Sequence, residues 1–197
     1  RFYNNGNNVN LSQTTNPPYD NPVFQQGVNF GAEPITMPTQ ALNLRSAASS
    51  GGLSLQGNTA VVLNNNSTMN VTNSSRGWSN TNMALPANGA LFVTSGSLTI
   101  SGTLNGRLTV GASRDILIPN NIVYADNPRT NLNSDDVMGI IAERDVVIRN
   151  SAPTNLEIDA SIMALDTSFM RESWWTGLKG TLTVYGGIIQ EERGPVG

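Results

Sequence analysis

Leu98-Thr99-Ile100, Leu108-Thr109-Val110 and, far downstream, Leu182-Thr183-Val184 share one form: apolar residues flank a threonine, and a glycine follows closely. Successive side chains on a strand point to opposite faces, so each triplet specifies a short strand with one face buried. Ile116-Leu117-Ile118, Val146-Val147-Ile148 and Leu156-Glu157-Ile158 vary the theme. Upstream, Leu53-Ser54-Leu55, Val61-Val62-Leu63, Met69-Asn70-Val71 and Leu91-Phe92-Val93 carry it back to Gly52. Apolar positions also fall in a frame of about 24 residues, through Ile116, Ile140, Ala164 and Ile188, with a second track through Leu98, Ile122 and Val146. A period in that range signals stacked units. With no helical pattern inside the frame, each unit is expected to be a coil of short strands that pair in parallel along one axis. The expected fold is all-β, a parallel β-solenoid (β-helix) over residues 53–197. The competing architecture is a β-sandwich, whose strands also recur every 8 to 12 residues or so.

Composition agrees with frequent corners. Only 13% of residues are charged, about half the usual share, and asparagine and glycine fill the difference. Both tolerate the left-handed backbone region that tight turns need. Stacked asparagines are expected to hydrogen-bond from coil to coil, with Asn64-Asn65-Asn66 and Asn120-Asn121 as candidate corners. Residues 1–52 are expected to form an irregular N-terminal segment. Dense prolines exclude helix from Asn16-Pro17-Pro18-Tyr19-Asp20-Asn21-Pro22, and the run Asn4-Asn5-Gly6-Asn7-Asn8 has a loop-like composition. The letters of residues 38–48 permit one short helix, with Pro38 near its start and Gly51-Gly52 beyond its end.

The absence of both cysteine and histidine removes thiol nucleophiles, imidazole bases, Cys/His metal sites and disulfides together. The chain is therefore expected to be non-enzymatic, with no metal and no cofactor. The adjacent carboxylates Asp135 and Asp136 are the conspicuous acid pair, but neighbours on a strand diverge, and a turn-capping role is expected of them. Phe169 to Lys179 breaks the strand pattern and holds two of the three tryptophans. Arg171, Trp174, Trp175 and Lys179 form a candidate contact set for nucleic acid or sugar, because aromatic faces stack on rings and cations meet phosphates. The competing role for the two tryptophans is to cover an edge of the core. Arg76 and Arg107 join the set because residues 1–110 carry four arginines against two acids, a net +2, which leaves −5 on the remainder of a chain at −3 overall. No basic run occurs, so DNA affinity would require distant arginines to converge on one face.

Three segments carry a family resemblance. Asn133-Ser134-Asp135-Asp136-Val137-Met138-Gly139-Ile140-Ile141-Ala142, Leu156-Glu157-Ile158-Asp159-Ala160-Ser161-Ile162-Met163-Ala164-Leu165 and Lys179-Gly180-Thr181-Leu182-Thr183-Val184-Tyr185-Gly186-Gly187-Ile188-Ile189-Gln190 resemble the uncharacterised bacterial domain family DUF4900. The ordered series covers about residues 131 to 197, with weaker similarity around residues 21–38. Such domains occur in predicted envelope and pilus-assembly proteins, including competence minor pilins that carry a β-solenoid. The resemblance implies a solenoid exposed at a type IV pilus tip, on the extracellular side, acting in DNA binding and uptake. Its implied partners are other pilus subunits and extracellular DNA, with membrane contact only through an anchor outside this stretch of chain. The resemblance maps no binding residue onto this sequence. A structural or assembly module of the cell envelope, or a polysaccharide-binding solenoid, is the alternative.

Overall fold

From Leu53 onward the chain is built of short strands, and the computed structural model, which describes residues 36–196, orders them into two mainly parallel sheets. In chain order they are β1 (Leu53–Gln56), β2 (Thr59–Asn64), β3 (Thr68–Asn73), β4 (Trp78–Ala84), β5 (Ala90–Thr94), β6 (Leu98–Leu104), β7 (Arg107–Ala112) and β8 (Ile116–Ile118). There follow β9 (Ile122–Tyr124), β10 (Val137–Ala142), β11 (Val146–Ile148), β12 (Leu156–Asp159), β13 (Ser161–Ala164), β14 (Phe169–Arg171), β15 (Leu182–Tyr185) and β16 (Ile188–Gln190). Of the irregular segment expected over residues 1–52, residues 1–35 lie outside the described residues.

The first sheet has the order β1-β5-β7-β10-β13-β16, parallel throughout, so each strand lies beside the next one supplied by the chain. The second is mixed. Its parallel part runs β2-β6-β8-β11-β14, with β9, β12 and β15 as a further parallel track, but β3 and β4 join β2 in antiparallel pairing.

Register corrects the repeat. Leu53, Leu91, Val110, Ile140, Ile162 and Ile188 form one row across the first sheet, while Leu98, Ile116, Val146 and Phe169 form another in the second. Ile116 and Ile140, partners in the sequence frame, lie in different sheets, and Ala164 pairs with Gln190 instead of Ile188. Burial requires an inward residue on every strand but sets no fixed distance between strands, so corner loops absorb unequal lengths. The inward rows of both sheets merge into one buried apolar cluster, with Leu53 packed against its margin and the terminal Ile188 left exposed.

Corners carry the asparagines. Asn65 and Asn66 turn the chain between β2 and β3, and Asn120-Asn121 bends it between β8 and β9. Bonding between layers goes mainly from backbone to amide: Ser97 N donates to Asn58 Oδ1 at 3.0 Å, Glu157 N to Asn121 Oδ1 at 3.0 Å and Thr181 N to Asn155 Oδ1 at 3.3 Å. Amide-to-amide bonds occur across the antiparallel strands, where Asn82 Nδ2 donates to Asn70 Oδ1 at 2.7 Å.

One short helix, α1 (Leu42–Ser49), lies on the outer face of the first sheet, with Leu44 and Ala48 buried against Ala90 and Phe92. It starts later than the expected 38–48, because Ala41 N donates to Glu143 Oε1 at 2.9 Å just beyond β10, and the helical bonds begin with Arg45 N to Ala41 O. Gly111 makes the docking possible: a Cβ there would stand 2.7 Å from both Leu44 Cδ2 and Phe92 Cδ2.

Candidate functional site

The loop between β14 and β15 shows how far the sequence-derived contact set survives. Arg171 is buried, and its two terminal guanidinium nitrogens donate inside the loop to Gly177 O at 2.5 Å, Ser173 O at 3.3 Å and Thr176 Oγ1 at 2.8 Å, while its buried Nε has no partner. Lys179 Nζ donates to the carbonyls of Asn150 and Ala152. Both cations staple the loop to its base, Arg171 buried and Lys179 half-buried. Trp174 and Trp175 go the other way, 48% and 71% exposed, with ring centroids 6.1 Å apart and planes at 82°. Covering a core edge is therefore not their role. Ser173, in the left-handed region at φ 53°, starts the 3₁₀ turn Trp174–Thr176 that lifts them off the body. Leu178 beside them is 86% exposed.

Arg76 and Arg107 lie elsewhere. Arg76 follows β3 at the other end of the sheets, stacked 5.9 Å from the Trp78 ring, and Arg107 opens β7 with its Nε 3.3 Å from Asp135 O. The six candidates thus occupy three places instead of one face. Ion pairs hold Arg45, Arg107, Arg129, Arg144 and Arg149.

The acid pair diverges. Asp135 is exposed, whereas Asp136 is buried and accepts from Gly106 N at 2.5 Å and Asp126 N at 2.8 Å, which ties two loops together. Among the described residues no group of three metal-ligating side chains of the Asp, Glu, His or Cys type occurs.

The chain matches no protein-family model, no curated protein and no solved structure at a significant level.

Two polar clusters went unseen in the sequence. Glu143, almost fully buried, accepts from Arg45 Nε at 2.7 Å and pairs with its second nitrogen. Arg45 stacks 4.6 Å over Phe92, and its pKa is raised chiefly by the Glu143 hydrogen bond. In the second cluster Arg129 bridges Glu157 and Asp159 and lies 4.7 Å over Tyr185. Asp159 also accepts from Tyr124 N at 3.2 Å and Asn127 Nδ2 at 3.3 Å. Burial pushes the Asp159 carboxyl above its ordinary range, with Glu157 adding to the rise, while the Tyr124 N–H and Arg129 oppose it. Burial likewise raises the Tyr124 phenol, which accepts from Met138 N at 3.1 Å. Alternation along β12 hinted at this cluster, since Glu157 and Asp159 are two acids on the outward side of one strand; the loop that covers them was not legible.

Proposed function

We propose that the described region is a parallel β-solenoid serving as a non-enzymatic contact and assembly module of an extracellular pilus or envelope structure. The observation that carries this is the agreement between chain order and strand order across six parallel strands, with a second parallel track alongside. A stack of coils presents fixed surfaces at repeated positions and suits a spacer or a docking body more than a catalyst.

The family resemblance favours DNA as the partner, whereas the charges favour protein. Nonspecific DNA affinity comes from cations that release counterions from phosphates, and here the arginines of the candidate set are scattered or committed to carbonyls, rings and carboxylates. Fluorescence anisotropy of labelled duplex DNA, titrated with the chain at low and at physiological salt, decides between them. The expected result is no binding at physiological salt and at most a weak rise at low salt. Tight binding that weakens steeply with salt would overturn the assembly role in favour of DNA uptake at a pilus tip.

A further inference from the structure

The β14–β15 loop leaves Trp174 half exposed and Trp175 and Leu178 largely exposed, and hydrogen bonds brace it. Residues 173–178 hold Trp174, Trp175 and Leu178 and no charged side chain. Arg171 and Lys179 at the base are turned inward onto carbonyls, and Glu172 Oε2 lies 3.2 Å from Arg149 Nε. The turn is braced from within by Thr176 Oγ1 to Ser173 O at 2.8 Å and tied to the end of β11 by Glu172 N to Ile148 O at 2.8 Å. The ordering cost of the tip is thus met in folding and need not be met again on binding.

Three partner chemistries can be weighed against this geometry. Stacking on nucleic acid requires cations for the phosphates, and the tip offers none. A sugar platform requires rings whose faces lie flush along the chain of hexoses, and planes at 82° let one ring at a time meet such a face. A convex, uncharged tip with two indoles and a leucine fits a deformable phase that is apolar below and polar above, where tryptophan is enriched. We infer that Trp174, Trp175 and Leu178 form a wedge that seats in the interfacial region of a zwitterionic lipid surface. This is independent of the assembly role proposed above.

The test uses the whole chain with phosphatidylcholine vesicles, read by co-flotation and by tryptophan emission. The wild-type chain is expected to float with the vesicles and to shift its emission to the blue, unchanged between low and high salt. W174S/W175S should lower the bound fraction about ten-fold, and L178S by a smaller factor. All three residues are exposed, so these variants should keep the fold, which circular dichroism checks. Failure to float at millimolar lipid would overturn the proposal. So would equal flotation of W174S/W175S, or binding confined to anionic phosphatidylglycerol vesicles and abolished by salt. Quenching by a soluble hexose oligosaccharide without flotation would assign the pair to a glycan and overturn it equally.

Discussion

The two ends of the strand stack solve the same problem differently. A parallel sheet presents unpaired backbone and apolar rows at each end, and both invite wrong partners. At the end nearer α1 the chain turns back on itself: β3 and β4 leave the parallel pattern and lay Met69 and Val71, fully buried, across the core. The edge of β1 is closed by side chains, since Asn73 Nδ2 donates to Gln56 O at 3.0 Å and Arg76 to Ser54 O at 3.5 Å. At the other end only β14 is closed, by a backbone bond from Arg171 N to Pro195 O at 2.9 Å and by Gln190, whose side chain accepts from Phe169 N at 2.8 Å. Among the described residues β15 and β16 have partners on one side alone, and Ile188 and Ile189 are 44% and 50% exposed. Among the described residues one end is closed by topology, the other in part by Gln190 and Pro195.

The same substitution at the two ends breaks this contrast most sharply. Val71→Asp buries a charge with no partner and should cost about 4 kcal/mol or more, enough to unfold the chain or drop its Tm by many degrees. Ile188→Asp places the charge where solvent reaches it and should cost about 1 kcal/mol or less. Equal losses in urea unfolding would show that the two ends are equivalent. Next in size is Asn73→Ala. It removes the bonds to Gln56 O and Thr59 Oγ1 and the acceptor for Arg76 N, for a loss of about 2 kcal/mol, with amide exchange of β1 and β3 rising before that of β13. Uniform exchange across these strands would deny Asn73 a local role.

These contrasts also mark what the sequence could disclose. Triplets such as Leu98-Thr99-Ile100 announced strand and buried face, because both follow from alternation within a few residues. The antiparallel β3 and β4 were not announced, since Met69-Asn70-Val71 alternates in the same way whichever direction its neighbour runs. The tryptophans were visible as a break in pattern, but their exposure was not, because it depends on Arg171 folding the turn from within. Glu143 was invisible as the clamp of α1, being drawn to Arg45 by the three-dimensional path between β10 and the helix. Glu143→Ala should therefore cost about 2 kcal/mol and act locally, freeing the α1 amides to exchange while the inner rows stay protected. Arg107→Ala, which breaks an exposed contact with Asp135, should leave exchange and Tm unchanged; a loss like that of Glu143→Ala would mean that burial does not separate the two pairs.

An effect that appears only as pH is varied lies midway between the ends, where β12 holds the loop between β9 and β10. Asp159 is nearly inaccessible, and desolvation there disfavours its charge more than Arg129 and the Tyr124 N–H favour it, so its folded pKa stands above the ordinary 3.8. Between 3.8 and the raised value the folded chain holds a proton that the unfolded chain has released. Stability from this group is thus fully present below 3.8 and declines as pH rises through the folded pKa, with no further change above it. Asp159→Asn removes the titration. The difference in Tm, wild type minus variant, should be most positive at acid pH, fall across that window and then level off. A difference that grows with pH would mean that the Arg129 pair outweighs desolvation, and that this loop, unlike either end of the stack, is held mainly by charge.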